Sequence, residues 1–123
     1  MKSIKILVTT HEIIVSLRNT KTAQSVWKAC PFESRTQIWG EEIYFDTKIN
    51  IEKEKNAKQI IEKGEIAFWV EGKSIAIGYG PTPISEGDEI KLVTEVNIFG
   101  DTSYRLSTLS NVDSGELVRV EKN

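Results

Sequence analysis

Apolar and polar positions alternate almost from the start of the chain. Ile4-Lys5-Ile6-Leu7-Val8 and Ile13-Ile14-Val15-Ser16-Leu17 flank the polar Thr9-Thr10-His11-Glu12, which predicts a β-hairpin. Neither Asn-Gly nor Asp-Gly occupies the turn, so its type is left open. The period then changes. Asn19-Thr20-Lys21-Thr22 supplies capping oxygens, and Ala23, Val26, Trp27 and Cys30 follow at i, i+3, i+4 and i+7, one face of a helix. Pro31 ends that helix, because it fixes its own φ and pushes the residue before it out of the α region.

Period two returns in Glu41–Asp46, where Ile43 and Phe45 face one way and Glu42, Tyr44 and Asp46 the other. The charged run 52–63 carries Ala57, Ile60 and Ile61 at helical spacing, which predicts a short helix closed by Gly64. Ile66–Val70 and Ser74–Tyr79 around Glu71-Gly72-Lys73 predict a second hairpin, stopped by Gly80-Pro81-Thr82-Pro83. The polar segment 84–89 reads as a mobile loop, 90–99 as extended chain and Gly100-Asp101 as a turn. Leu106, Leu109 and Val112 suggest a short helical segment, and Leu117–Val120 a last strand. Many short strands and one good helix predict a closed or half-closed barrel capped by that helix.

A length of 123 residues suits one domain over 1–123. Lys+Arg 16 against Asp+Glu 18 leaves a formal charge of −2, with no basic excess to draw nucleic acid or an anionic membrane as partner. The apolar stretches are far shorter than a membrane span, and the first one lacks a cleavage site, so the expected location is cytoplasmic. Cys30 is the only cysteine and forms no internal disulfide. On the apolar helix face it reads as a buried thiol rather than a nucleophile.

The chemistry offered is sparse. One His and one Cys make no structural zinc site, and Glu86, Asp88 and Glu89 lack the ligand spacing of a calcium loop, so neither metal nor cofactor is expected. Glu41 and Glu42 point to opposite faces of a strand, and Glu42 and Asp46 stand about 13 Å apart along it, so no carboxylate dyad is expected. Gly78-Tyr79-Gly80-Pro81 lacks the third glycine and the following helix of a phosphate loop. Ala76, Gly78 and Gly80 instead leave one strand face bare, open to a neighbouring strand, a side chain or a ligand, with Trp69 and Tyr79 beside it.

Four motifs resemble those of a small family of bacterial and archaeal cyclophilin-like proteins of uncharacterised function. They are Thr20-Lys21-Thr22-Ala23; Arg35 with Trp39-Gly40-Glu41-Glu42-Ile43-Tyr44-Phe45; Gly64-Glu65-Ile66-Ala67-Phe68-Trp69; and Gly80-Pro81-Thr82-Pro83 with Asn97-Ile98-Phe99-Gly100. The resemblance implies a mainly β fold, a cyclophilin-like closed β-barrel with one clear α-helix and one or two short ones. It is distantly similar to the cyclophilin peptidyl-prolyl isomerases, whose pocket uses an arginine aimed at the prolyl nitrogen. Arg35 falls about where that arginine stands. The Phe-Met-x-Gln-Gly-Gly segment of cyclophilins is replaced by Ile38-Trp39-Gly40-Glu41-Glu42, and His11 lies in the first hairpin rather than at a pocket floor.

The expected site is a groove of Arg35, Trp39, Glu41, Tyr44, Trp69, Tyr79 and Thr82, holding a small molecule or an extended peptide without established catalysis. Two alternatives stand beside it: a prolyl isomerase using Arg35, and a structural or oligomerisation role. For Arg35 itself the alternative to an isomerase role is a salt bridge with Glu33, Glu41 or Glu42.

Overall fold

A computed structural model describes residues 2–123. The strands are β1 (Ser3–Val8), β2 (His11–Leu17), β3 (Phe32–Arg35), β4 (Gln37–Ile38), β5 (Glu42–Asp46), β6 (Lys58–Ile61), β7 (Glu65–Trp69), β8 (Ser74–Gly78), β9 (Ile90–Asp101) and β10 (Leu117–Lys122). One helix, α1 (Lys21–Ala29), follows β2, and a 3-10 helix spans Leu106–Asn111. The strands run in the order β3-β10-β1-β2-β9-β7-β8-β5-β4, with β6 paired to β9 alone. This is a mainly β, nearly closed barrel. Its one seam lies between β3 and β5, bridged where Ser34 Oγ donates to Asp46 Oδ1 at 3.0 Å.

Strict alternation explains the first hairpin: Ile4, Ile6 and Val8 pair across from Val15, Ile13 and His11, and all six are buried. Thr20 caps α1 by accepting from Ala23 N–H at 3.0 Å, and Ala23 and Val26 enter the barrel core with Phe45, Phe68 and Phe99. Cys30, in extended conformation before Pro31, ends the helix. Its buried thiol donates to Val26 O, and burial pushes its pKa up, so it is inert.

The run 52–63 is not a helix. Lys58–Ile61 is a strand, pairing Lys58 with Val96, Ile60 with Lys91 and Ile61 with Ile90. The spacing of Ala57, Ile60 and Ile61 fits a helix, but Ile60 faces solvent and only Ile61 is buried, as strand alternation requires. Gly64 does adopt positive φ, +100°, in the turn between β6 and β7. Gly100-Asp101 is likewise not a turn; both residues continue β9 between β2 and β7. Gly100 is small because β2 crosses closely there, and a Cβ would fall 2.4 Å from Val15 Cγ1.

β9 serves two layers. Its later half pairs with β7 and β2 in the barrel, while its beginning pairs with β6 on the outside. A second apolar cluster forms between these layers from Ile61, Ala67, Ala76, Ile90, Leu92, Val96 and Ile98. The bare strand face accounts for it: a Cβ at Gly78 would fall 2.5 Å from Ile90 Cγ2. Segment 84–89 forms two turns, pinned where Ser85 Oγ accepts from the N–H groups of Thr82 and Lys91.

A candidate ligand cavity under beta-9

The stretch between β4 and β5 is a two-residue hairpin turn. Trp39 and Glu42 exchange backbone hydrogen bonds at 3.0 and 3.2 Å, and Gly40 holds φ +60° at the first central position, as a type II′ turn demands. The turn packs on the Pro81–Pro83 rim: a Cβ on Gly40 would fall 2.8 Å from both Pro83 Cδ and Thr82 Cα. Glu41 N–H donates to Pro81 O at 3.0 Å, and Tyr79 N–H to Glu41 O at 2.9 Å. Trp39 is thereby fixed just past the end of β4, across the turn from Glu42.

From the turn, parity decides what faces outward. Glu42 and Tyr44 lie on the face of β5 turned away from Ile43 and Phe45, opposite Gly78 and Ala76 of β8. Trp69, at the end of β7, stands edge-to-face with Tyr44, ring centroids 5.9 Å apart and planes at 85°. Its six-membered ring lies over Gly72, where a Cβ would come within 2.3 Å of Cε3. Leu92, Val93 and Val96 of β9 form the facing wall. Together these residues line a partly open cavity of about 210 Å³.

Two polar groups in this lining lack partners. Trp69 Nε1 is buried with no hydrogen-bond acceptor. Glu42 is 7% exposed, and burial alone pushes its carboxyl up to about 7, with no hydrogen bond or charge offsetting the desolvation. Buried polar groups are normally hydrogen-bonded, so the orphaned Trp69 N–H is unusual. A carboxyl pushed up to about 7 by burial in a mainly apolar, partly open cavity is the kind of perturbed group that functional sites use.

Of the residues expected around one groove, Trp39, Tyr44 and Trp69 meet here. The others lie elsewhere. Arg35 is exposed at the seam edge and donates to Gly115 O at 3.2 Å, pairing with no carboxylate among the described residues. Glu41 and Tyr79 line a separate open cleft of about 600 Å³ with Lys63, Asp88 and Glu89. The Glu41 carboxylate sits over Gly80 and, behind burial, helps hold the Tyr79 phenol above its ordinary pKa. Thr82 is buried; its hydroxyl donates to Lys91 O and its N–H to Ser85 Oγ, anchoring the rim to the start of β9. His11 is taken up by Tyr104 and Asn111 at 2.6 and 2.9 Å. Sequence reasoning passed over Glu42, although alternation already put it beside Tyr44.

A third cleft, about 760 Å³, runs along α1 between Lys2, Arg18, Gln24, Trp27, Lys28 and Asp101. Arg18 is taken up there by Asp101 at 2.8 Å and Glu65 at 3.2 Å. The Nζ atoms of Lys2 and Lys122 each lie 4.9 Å from the Trp27 ring centroid. Among the described residues no cluster of three or more His, Cys, Asp or Glu is placed to hold a metal ion. Nor is any helix among them long and apolar enough to cross a membrane.

No match was found among curated proteins. Among solved structures, a hypothetical protein of Archaeoglobus fulgidus, determined in solution, superposes with TM-score 0.84 at 34% identity, covering 99% of this chain and 95% of that one. McbB, solved in complex with tryptophan, superposes with TM-score 0.62 at 16% identity over 96% of this chain and 44% of its own, a likeness of fold alone. The family model described as Cyclophilin-like matches residues 2–121, and with the archaeal relative it establishes that this chain belongs to the cyclophilin-like family.

Proposed function

We propose that this domain binds a small molecule in the cavity of Trp39, Glu42, Tyr44 and Trp69. The observation that carries the reading is the Glu42 carboxyl, buried without a partner in an aromatic-walled space. A buried carboxyl without hydrogen bonds is a cost to the unliganded fold, and a ligand that satisfies it removes the cost. Few polar groups in an apolar, mostly pre-formed concavity is the general form of a ligand site.

Size selects between the two expected ligand classes. About 210 Å³ lies below the usual range for drug-sized ligands, so the cavity suits a small compound rather than an extended peptide. Arg35 stands outside it, and this geometry lends the isomerase reading no support.

The three tryptophans give the test its own control. Each contributes one indole N–H signal to a nitrogen–proton correlation spectrum. In a screen of small fragments, hits shift the Trp39 and Trp69 signals and leave Trp27, on the far cleft, in place. Hits that move Trp27 alone, or a screen in which Trp39 and Trp69 never move, would refute the cavity as a ligand site.

A further inference from the structure

We infer that the ligand of this cavity is an organic cation, an amine or alkylated ammonium, held by the Glu42 carboxylate and the aromatic side chains of Trp39, Tyr44 and Trp69. The inference rests on the small-molecule reading and adds the ligand's charge. Three aromatic side chains and one carboxylate supply negative potential from the walls, and no Lys, Arg or His lines the cavity. Ring quadrupoles attract cations most strongly where water is excluded, which is how aromatic cages hold methylated ammonium groups. An anion would meet the Glu42 carboxylate with no cationic side chain in the lining to offset the repulsion. Leu92, Val93 and Val96 accommodate the alkyl substituents of the cation.

Protonation follows from the same geometry. From β5 the cavity receives Glu42 and Tyr44, from the preceding turn Trp39, from β7 Trp69, and from β9 only apolar side chains. The Tyr44 phenol is thus the sole other titratable group in the lining. Burial raises the Glu42 pKa to about 7, so near neutrality the empty site is partly protonated. A cation binds the ionised form, pulls that pKa down and displaces the proton to solvent. The competent fraction of the free protein rises about tenfold from pH 6 to pH 8, and the apparent affinity with it. A neutral ligand that hydrogen-bonds to the protonated carboxyl shows the opposite trend.

The test uses the whole chain with choline, benzyltrimethylammonium and 3,3-dimethylbutan-1-ol, the last being the uncharged carbon isostere of choline. Titrations follow the Trp39 and Trp69 indole signals at pH 6 and pH 8. The expected result is binding of at least one ammonium, on the order of tenfold or more tighter than the isostere. The ammonium should bind about tenfold tighter at pH 8 than at pH 6. Calorimetry in buffers of different ionisation enthalpy should report proton release near pH 6.5. Glu42→Gln should abolish both the pH dependence and the proton release. Equal binding of choline and its isostere, or binding indifferent to pH and to Glu42→Gln, overturns the cation assignment and leaves the cavity as a site for a neutral compound. Failure of both ammonium probes to move either indole overturns it too, while the fragment screen decides separately whether the cavity binds anything.

Discussion

Replacing Glu42 with glutamine preserves the shape of the buried group and removes its charge. In the free protein, burial raises this carboxyl from the ordinary 4.5 to about 7. At about 1.4 kcal/mol per unit, that is a penalty of about 3 kcal/mol on the ionised form. The sign is fixed by proton counting. Between pH 4.5 and 7 the folded state holds a proton on Glu42 that the unfolded state has lost, so stability falls as pH rises through this window. Below 4.5 the contribution is complete; above 7 it is gone. Glutamine has no such dependence, and every other titrating group is common to the two proteins. Urea unfolding across pH 4 to 8 should therefore give a difference curve that climbs by about 3 kcal/mol in favour of the variant, on the order of 10 °C in melting temperature. Part of the absolute gain is offset by burying an unpaired amide, which shifts the curve without changing its slope. A difference curve flat between pH 4.5 and 7 would show that Glu42 is hydrated or paired, and would remove the premise of the binding site.

Two further outcomes follow from the packing. Gly72→Ala sets a methyl 2.3 Å from Trp69 Cε3, so the indole has to leave its seat; about 1–3 kcal/mol of destabilisation is expected, with a red-shifted tryptophan emission and weakened ligand binding. An unchanged emission spectrum would count against this placement of Trp69. Asn97 is fully buried and joins three segments: its amide donates to Thr22 Oγ1 and Glu52 O, and its Oδ1 accepts from Glu54 N–H. Asn97→Leu strands those groups and should cost about 2–4 kcal/mol in chemical denaturation; a cost under 1 kcal/mol would show that the strap 52–54 hangs on other contacts.

The parts of the fold legible in the sequence are those where local period and burial agree. The first hairpin and α1 follow from alternation, helical spacing and capping, because each buries one face against the same core. The second hairpin, buried on both faces, follows from its continuous apolar runs around a glycine-containing turn. β6 was hidden because Ile60 and Ile61 are adjacent, and only a long-range partner, β9, decides which of them is buried. β3 and β4 were hidden because Glu33–Gln37 carries almost no apolar signal; their pairing is dictated by β10 and β5. The cavity was half legible. Trp39 and Trp69 declare themselves as aromatics near glycines and Tyr44 by strand parity, but choosing Glu42 over Glu41 depends on where the Trp39–Glu42 turn ends and strand parity begins. Arg35 and Thr82 were attractive by chemistry alone, and both are engaged by backbone carbonyls.

The small residues behind the cavity carry an implication for how its width is set. Ala67, Ala76 and Gly78 do not line the cavity, yet they set how closely the outer layer of β6 and β9 settles on β7 and β8, since Ile90 rests where a side chain at 78 would be. Enlarging any of them wedges Ile90 and Ile61 outward, and Leu92 and Val96 move on the same strand and cluster. The distance between the aromatic wall and the aliphatic wall is thus a dial turned from behind. Chains of this architecture can widen or narrow this cavity by exchanging single methyl groups there, while every side chain that lines it stays the same.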